Sequence, residues 1–297
     1  MNNILHIIQS KIRSTILIDY DMRRSTWFRA GGNAKGYTII NNISDLKTIL
    51  SFSDHIKYYV LGVGSNLMVR DQGFDGLVIK LGRNFNNIKI KKKILSVGAG
   101  VLDVNLSKFA TKNSIKDFEF FSGIPGTIGG AVKMNAGCYG SQTADKLKRI
   151  LVINKFGKIA YLQNEELKLS YRSSNLSDDL IVLKADFNYE YASKSQIIER
   201  NDFIKLRRET SQPIKEKTSG STFKNPPGEF AAALIEKAGC KGMKNGGASV
   251  SKIHSNFLIN NGEATALDIE NLGKRIIKQV QEKFGITLEW EIKIIGI

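Results

Sequence analysis

The residues best suited to chemistry begin with a glycine-rich stretch, residues 122–137. Five glycines and one proline fall within these sixteen residues, which is more than a regular strand or helix tolerates. Pro125-Gly126 predicts a tight turn, after which Thr127 can cap a short helix that begins at Ile128. The N–H groups left free at a helix start bind phosphate well. The stretch therefore indicates a loop that lies on a phosphate-bearing cofactor, and the alternative is a turn buried between sheets.

A second glycine-rich loop, Gly62-Val63-Gly64-Ser65-Asn66, follows a strand that composition predicts at 58–61. It is similar to the start of the dinucleotide-binding pattern G-x-G-x-x-G, but Leu67 stands where the third glycine belongs. Gly73 and Gly76 also interrupt the helix that should follow, so we reject a Rossmann unit. The loop is then either a turn whose N–H groups and polar side chains wrap a pyrophosphate, or a plain connection between strands.

Three further segments carry polar side chains that could act on a substrate. Tyr171-Arg172 precedes two serines in a predicted loop. The stretch 219–227 combines two prolines with hydroxyls, a lysine and an asparagine, which predicts a rigid loop with functional side chains. Glu289 and Glu291 occupy one face of the predicted last strand, and periodicity does not choose between them. For the first and third segments the alternative is an ordinary solvated turn or sheet face.

Composition narrows the class of protein. The three histidines and two cysteines show no ligand spacing and no disulfide framework, so we predict no metal site and a reduced, cytosolic setting. No G-x-S-x-G elbow marks an acyl-transfer serine. No apolar run reaches the ~18 residues of a membrane span, and no secretion signal is indicated. The net charge of +16 points to an anionic partner such as nucleic acid, or it is a solvated surface, because the basic residues are spread along the chain.

The elements that must position these residues mix helices and strands up to about residue 191, and the composition changes near residues 192–194. The length of 297 residues predicts two domains, or three small ones. A capping box at Thr265 starts the last helix, and Gly285 ends it. We predict helices over 3–18, 44–52, 102–110, 194–209, 229–238 and 265–284, and strands over 36–40, 58–61, 76–81, 88–97, 149–153, 159–162, 180–191, 254–260 and 286–295.

Taken in order, the motifs resemble the family of UDP-N-acetylenolpyruvoylglucosamine reductases, and the likeness covers nearly the whole chain. The Gly-Ile-Pro-Gly and Gly-Ser-Thr-Phe-Lys-Asn-Pro stretches are each specific, and their joint occurrence is more specific still. The resemblance rests on Thr26-Trp27-Phe28-Arg29-Ala30-Gly31-Gly32, Gly62-Val63-Gly64-Ser65-Asn66, Gly123-Ile124-Pro125-Gly126-Thr127-Ile128-Gly129-Gly130, Met134-Asn135-Ala136-Gly137, Tyr171-Arg172, Gly220-Ser221-Thr222-Phe223-Lys224-Asn225-Pro226 and Leu288-Glu289-Trp290-Glu291.

The resemblance implies an α+β fold with two domains. The first, at 1–192, is an FAD-binding domain of the vanillyl-alcohol-oxidase (PCMH) type, with subdomains of about 1–87 and 88–192. The second, at 193–297, is an α+β substrate-binding domain whose last strand carries a catalytic glutamate.

The resemblance also implies an activity, namely the NADPH-dependent reduction of UDP-N-acetylglucosamine enolpyruvate to UDP-N-acetylmuramate through non-covalent FAD. NADPH and the sugar nucleotide share one site in turn. The reaction belongs to peptidoglycan precursor synthesis, and so to cell wall biogenesis, cell shape and cell division. A cytoplasmic monomer with no nucleic-acid partner and no membrane span is expected.

Residue roles follow from the matched motifs. The resemblance makes Ser221 the proton donor, with Arg172 and Glu291 assisting; Glu289 is the fallback for the glutamate. Arg172 can stabilise the negative charge that hydride addition builds next to the substrate carboxylate. The substrate-binding candidates are Tyr171, Lys224, Asn225 and Asn256. The cofactor-binding candidates are Gly62, Val63, Gly64, Ser65, Asn66, Ser122, Gly123, Ile124, Pro125, Gly126, Thr127, Gly129, Gly130, Ala131, Asn135 and Gly137.

Two departures and two alternatives accompany this interpretation. Trp290 stands where many relatives have a proline, and the interval between Arg172 and Ser221 is too short for a substrate-covering tyrosine loop. We therefore place the chain in the shorter-loop subclass and assign no tyrosine as a clamp. One alternative is an FAD-dependent oxidase of alcohols or sugars. The other is a basic nucleic-acid-binding protein, against which the absence of a clustered basic stripe argues.

Overall fold

The structure of the chain, a computed structural model, describes residues 2–297. The helices are α1 (Asn2–Lys11), α2 (Ile43–Leu50), α3 (Asp103–Lys112), α4 (Ile128–Met134), α5 (Lys194–Ser211), α6 (Ala231–Lys237) and α7 (Ala266–Phe284). The strands are β1 (Ile16–Asp21), β2 (Asn33–Ile40), β3 (Tyr58–Leu61), β4 (Leu67–Val69), β5 (Phe74–Leu81), β6 (Ile88–Lys91), β7 (Ile94–Gly98), β8 (Gly137–Cys138), β9 (Ser141–Gln142), β10 (Leu147–Ile153), β11 (Ile159–Gln163), β12 (Ile181–Asn188), β13 (Lys244–Asn245), β14 (Ala248–Val250), β15 (Leu258–Asn260) and β16 (Lys293–Ile295).

Two compact units divide the chain, and each collects segments that are distant in sequence. The first comprises the residues up to Ile18 with Gly36–Gly62 and Gly76–Arg207, and the second comprises Asp19–Lys35, Val63–Asp75 and Arg208–Ile297. The domain bounds implied by the resemblance, 1–192 and 193–297, stay a prediction. The compact units are drawn differently, because residues 19–35 and 63–75 group with the C-terminal part of the chain.

The first unit contains a five-stranded sheet in the order β11-β10-β12-β7-β6, whose neighbouring strands are all antiparallel. A four-stranded sheet in the order β1-β2-β5-β3 accompanies it, with β3 and β5 parallel. The hairpin predicted at β10 and β11 is confirmed. Phe118 packs edge-on against Phe187 of β12, with ring centroids 5.6 Å apart. This buried contact fixes the chain just before the glycine-rich stretch begins.

The second unit combines the antiparallel sheet β13-β14-β15 with a parallel pair, β16 and β4. Helix α7 covers them with a buried apolar face. Its predicted capping box at Thr265 and Asp268 is confirmed, and Gly285 ends it in the left-handed conformation with φ of 69°. The carboxylate of Asp71 accepts two further N–H groups at the start of this helix, both at 2.8 Å.

Trp290 packs between helix α7 and the buried Phe223. Its ring lies against Gly273 of α7 so closely that a Cβ on that glycine would come within 2.0 Å of the indole. The ring also contacts the buried Phe223, with centroids 4.9 Å apart. The glycine on the facing helix therefore makes room for the large side chain of Trp290.

Four predicted elements are wrong in extent, and one of them is the strand expected over 254–260, which is regular only in β15. The helix expected over 3–18 ends at Lys11, because Asp45 Oδ2 accepts the N–H groups of Arg13 and Ser14 at 3.1 and 2.8 Å and turns the chain. The β-branched residues that follow then form β1. The strand expected over 88–97 is two strands joined by a turn. The strand expected over 286–295 is regular only in β16, and Trp290 makes an isolated bridge to Phe223.

Within residues 2–297, no helix combines the length and the apolar character needed to cross a bilayer. In the same described part, no three His, Cys, Asp or Glu side chains gather into a group suited to a metal ion. Cys138 and Cys240 are not joined by a disulfide bond.

Candidate functional site

The glycine-rich stretch of the first unit folds into the predicted turn and helix α4, which begins at Ile128. Two of the N–H groups at its start are nevertheless already engaged. The N–H of Ile128 donates to the carbonyl of Val101 at 3.0 Å, and the N–H of Gly129 donates to that of Ala99 at 2.8 Å. Thr127 makes no side-chain cap bond. The expectation of free N–H groups at these two positions is wrong, because a neighbouring segment already uses them.

Two glycines of this stretch have opposite surroundings. A Cβ on Gly126 would lie 2.3 Å from Oδ2 of Asp103, so the fold itself requires glycine there. A Cβ on the exposed Gly130 would meet only Oγ1 of Thr127, at 3.6 Å. Since nothing within the described chain excludes a side chain at Gly130, the close approach of a ligand is a reason for glycine at this position.

Buried polar atoms without partners lie in the first unit. Ser122 Oγ, Tyr58 Oη and both carboxylate oxygens of Asp103 are buried and accept or donate no hydrogen bond within residues 2–297. Burial raises the pKa of the Asp103 carboxyl well above its ordinary value of 3.8, which favours its protonated form. Burial likewise raises the pKa of Tyr58. Native proteins keep few such atoms, and a bound ligand is one reason for them.

Asn135 has a different place from the one that the sequence suggests. The predicted cofactor contact is fully buried and ends α4 in the left-handed conformation, with φ of 42°. Its Nδ2 donates to Gln142 Oε1 and to the carbonyl of Ser170, each at 2.9 Å, and its Oδ1 accepts the N–H of Ala144 at 3.0 Å. This geometry favours a positioning role, since both ends of the amide are engaged inside the protein.

Arg172 stands near the tip of a tight turn in which Ser170 and Ser173 exchange backbone hydrogen bonds of 3.1 Å. Its backbone is left-handed, with φ of 53°. That conformation costs an arginine roughly 1–2 kcal/mol, and such strain clusters at functional positions. Arg172 also lies over the ring of the exposed Tyr171, with the guanidinium carbon 4.9 Å from the centroid.

Side-chain bonds tie this turn to the end of the glycine-rich stretch. Nη2 of Arg172 donates to the carbonyl of Gly137 at 2.8 Å, and Ser174 Oγ donates to that of Lys133 at 2.6 Å. Together with the bond from Asn135, these contacts bring two predicted motifs of the first unit together. Gly137 therefore contributes its backbone carbonyl, which accepts the hydrogen bond from Arg172.

In the second unit, Ser221 lies on a short segment held from both sides by backbone bonds. On one side the N–H of Thr222 donates to the carbonyl of Asn256 at 2.8 Å. On the other side the carbonyl of Thr222 accepts the N–H of Glu291 at 2.8 Å. The structure therefore brings the segments of Ser221, Asn256 and Glu291 together, although they are distant in sequence.

The two candidate glutamates differ in their surroundings. The side chain of Glu289 is 74% exposed and forms an ion pair with Nζ of Lys224 at 3.2 Å. Glu291 is half-buried, and its carbonyl accepts a hydrogen bond from Nδ2 of Asn66 at 3.1 Å. Asn66 ends the loop that begins at Gly62, so within the second unit this loop reaches Glu291 and not Glu289. The geometry favours Glu291.

Two predicted substrate contacts are engaged within the fold. Asn256 is buried, its Oδ1 accepts the N–H of Phe223 at 2.9 Å, and its Nδ2 donates to the Phe223 carbonyl at 2.8 Å. This geometry favours a positioning role over a substrate contact. Oδ1 of Asn225 accepts the N–H of Ala231 at the start of α6, at 3.0 Å. Lys224 remains half-buried beside Glu289.

The segment from Ser25 to Arg29 belongs to the same neighbourhood, although sequence reasoning gave it no role. The N–H of Trp27 donates to the carbonyl of Gly64 at 3.0 Å. Gly64 has φ of 69°, and a Cβ there would lie 1.9 Å from the Ser25 carbonyl oxygen. The signal available in the sequence was the motif around Thr26 itself, which contributed to the resemblance.

A family model for an FAD binding domain matches residues 34–162. The residues of the first unit fit such a cofactor, because Ser122 offers a buried hydroxyl without a partner and the space over Gly130 is open. The α+β fold and this match define the chain as a protein with an FAD-binding domain.

A second family model, the C-terminal domain of UDP-N-acetylenolpyruvoylglucosamine reductase, matches residues 212–295. The reductase of Rickettsia conorii is 47% identical over 279 residues, which is 94% of this chain and 95% of its own length. That of Parvibaculum lavamentivorans is 44% identical and covers 97% of this chain and 93% of its own length. The Thermus caldophilus reductase structure matches with a TM-score of 0.83 and 34% identity, over 96% of this chain and 99% of that one. The chain belongs to the UDP-N-acetylenolpyruvoylglucosamine reductase family.

The buried carboxyl of Asp103 predicts a pH-dependent stability. The folded protein keeps a proton that the unfolded chain releases above about pH 4, so stability falls as the pH rises from there towards the raised pKa. Asp103→Asn removes this titration and should raise the free energy of unfolding by about 1–3 kcal/mol at pH 8, with little change at pH 4. Urea unfolding at both pH values measures it, with the exposed Asp75→Asn as control. A gain of equal size at both pH values would contradict a protonated Asp103.

The contrast between two glycines predicts opposite effects of one added methyl group. Gly130→Ala should stabilise α4 by up to about 1 kcal/mol yet weaken FAD binding roughly tenfold or more, because the methyl group intrudes on the ligand. Gly126→Ala should instead lower the melting temperature, because its Cβ meets Asp103. Thermal melts of the FAD-free protein and flavin fluorescence titrations separate the two effects. An FAD affinity for Gly130→Ala equal to that of the wild type would rule out a ligand at this position.

Proposed function

We propose that the protein reduces UDP-N-acetylglucosamine enolpyruvate to UDP-N-acetylmuramate, with NADPH as the hydride donor and non-covalent FAD as the cofactor. The step belongs to peptidoglycan precursor synthesis in the cytoplasm, and so serves cell wall biogenesis, cell shape and cell division. A monomer that takes NADPH and the sugar nucleotide in turn at one site fits this reaction. The observation that carries the proposal is the joining of the Ser221 and Glu291 segments through Thr222, in a chain that belongs to this reductase family.

FAD, when bound, supplies the hydride transfer that no side chain can perform. Residues proposed to hold it are those of the loop from Gly62 to Asn66 and of the glycine-rich stretch, chiefly Ser122 and Gly130. Ser122 would offer its buried hydroxyl, and Gly130 would allow close approach. Asn135 would act by fixing the backbone between the stretch and the turn of Arg172.

Arg172 is proposed to bind the substrate carboxylate. Addition of hydride to the enol ether builds negative charge on the carbon that bears this carboxylate, and a guanidinium can stabilise that charge with two parallel hydrogen bonds. The tight turn fixes the Arg172 backbone, and the bond to Gly137 holds one of its nitrogens. Less side-chain freedom is therefore left to lose when the substrate binds.

Ser221 is proposed to hold the proton that this carbon takes up, at Oγ. A serine hydroxyl is a weak acid in water, but a positioned donor needs only hydrogen-bond reach to a strongly basic carbon. The half-buried position on a segment braced by Asn256 restricts where the hydroxyl can lie. Glu291 is proposed to assist at the same step, and Tyr171, Lys224 and Asn225 are kept as candidates for binding the sugar nucleotide.

Removal of the serine hydroxyl should separate the two halves of the reaction. Ser221→Ala should leave the bleaching of the flavin absorbance by NADPH unchanged, but slow its return on addition of UDP-N-acetylglucosamine enolpyruvate by roughly 10²-fold or more. Anaerobic stopped-flow absorbance measures both halves in one protein. An equal loss in both halves would mean that Ser221 is structural, and a protein that takes up no FAD would overturn the proposed function.

Replacement of each of the two glutamates by glutamine should affect turnover differently. Glu291→Gln should lower turnover of the enolpyruvyl substrate by roughly 10²-fold, because a half-buried acid beside the Ser221 segment is lost. The matched control Glu289→Gln should change turnover by no more than a few fold, because an exposed ion pair contributes only about 0–1 kcal/mol. Steady-state kcat and KM of both variants show which glutamate takes part in turnover. The reverse pattern would transfer the role to Glu289.

A further inference from the structure

Residues 25–32 of the second unit run alongside residues 64–71 in the same direction. The N–H of Trp27 donates to the carbonyl of Gly64 at 3.0 Å, and the N–H of Gly32 donates to that of Arg70 at 3.1 Å. Arg29 lies between these two anchor points. It therefore belongs to the segment that these two hydrogen bonds hold beside residues 64–71.

Arg29 is held in a conformation that an arginine seldom adopts. Its φ is 56°, while its side chain is exposed. Nδ2 of the buried Asn260 donates to the carbonyl of Phe28 at 2.8 Å and lies 3.5 Å from that of Arg29. Strain of this kind persists only where surrounding contacts impose it, and it clusters at ligand clamps.

Asn260 also holds the backbone of a second cationic residue, Lys217. The N–H of Asn260 donates to the carbonyl of Lys217 at 2.9 Å, so one buried residue holds the backbones at Arg29 and Lys217. Both side chains are exposed, and neither forms an ion pair within residues 2–297. Arg70 of the same unit does form an ion pair, with Glu270 at 2.9 Å. Two cations without ion pairs, on segments that one buried residue joins, favour an anionic ligand.

A buried hydroxyl accompanies each cation. Thr26, whose carbonyl accepts the N–H of Arg29 at 3.3 Å, is 2% exposed, and Thr218, which follows Lys217, is 5% exposed. Oγ1 of each is buried and has no hydrogen-bond partner in the described chain. A fold seldom leaves two hydroxyls of this kind unpaired, because each costs free energy that a ligand oxygen would restore.

We propose that Arg29 and Lys217, with the hydroxyls of Thr26 and Thr218, form a diphosphate clamp for a bound nucleotide, beside Gly64-Ser65-Asn66. An arginine fork matches two phosphate oxygens at once, and a lysine adds a compact positive charge. The inference rests on the proposed function in one respect, namely that the diphosphate belongs either to the FAD cofactor or to the sugar nucleotide. Both carry the same chemistry at this point.

Neutral polar variants test the diphosphate clamp. Arg29→Gln and Lys217→Gln should each weaken the binding of inorganic pyrophosphate by about 10- to 100-fold at low salt, where screening is least. The matched control is Lys215→Gln, which removes an exposed lysine two positions away and should bind as the wild type does. Calorimetric titrations with pyrophosphate, FAD and UDP measure the three affinities. The nucleotide whose affinity falls in parallel with that of pyrophosphate is the one whose diphosphate binds at the clamp.

Isosteric variants test the hydroxyls independently. Thr26→Val and Thr218→Val should raise the melting temperature of the ligand-free protein, because an unpaired buried hydroxyl is removed, yet weaken pyrophosphate binding several-fold. A gain in stability with unchanged affinity would remove the hydroxyls from the clamp. If circular dichroism shows that Arg29→Gln does not fold, the affinity of Lys217→Gln alone decides whether the positive charges contribute to binding.

The outcomes separate this inference from the proposed function. A wild-type protein that binds no pyrophosphate, or charge variants that bind all three ligands as tightly as Lys215→Gln does, would overturn the diphosphate clamp. A wild-type protein that binds no FAD would overturn the proposed function, and the pyrophosphate titration would then decide the clamp by itself.

Discussion

The buried amide of Asn256 is the interaction on which the candidate site of the second unit depends. It pairs with both the N–H and the carbonyl of Phe223, and its own carbonyl takes the N–H of Thr222. The other edge of the same segment bonds to the backbone at Glu291. Because this amide bonds both the N–H and the carbonyl of Phe223, the Ser221 segment has one register against its neighbours. The positions of Ser221 and Glu291 follow from that register.

Asn135 does the equivalent work in the first unit, where it fixes the turn that carries Arg172. Both asparagines stand in polar motifs that the sequence marks as ligand-binding, and both are used by the fold. The residue type does not distinguish the two roles, because an amide that binds a ligand and one that braces a loop need the same donors and acceptors. Burial distinguishes them, and burial depends on contacts made far along the chain.

The sequence predicted those features that depend on short-range patterns or on recognisable motifs. Helix α7, with its capping box and its terminal Gly285, and the hairpin of β10 and β11 follow from short-range patterns, and both are confirmed. The family was identified from motifs in order along the chain. The use of the N–H groups of Ile128 and Gly129 by residues 99–101 was not predictable, because no local pattern records which segment lies alongside. The same holds for the bonds that Asp45 makes to end α1.

The pairing of β4 with β16 has a consequence for biosynthesis. Leu67 is opposite Lys293, so a strand that is synthesised early pairs with a strand that is synthesised much later. Until then the apolar side chains of Phe28 and Met68, which belong to the core of the second unit, have no permanent cover. The residues of the first unit are all synthesised by Arg207. Vectorial folding should therefore proceed with the first unit ahead, while two early segments remain exposed to chaperones and to aggregation.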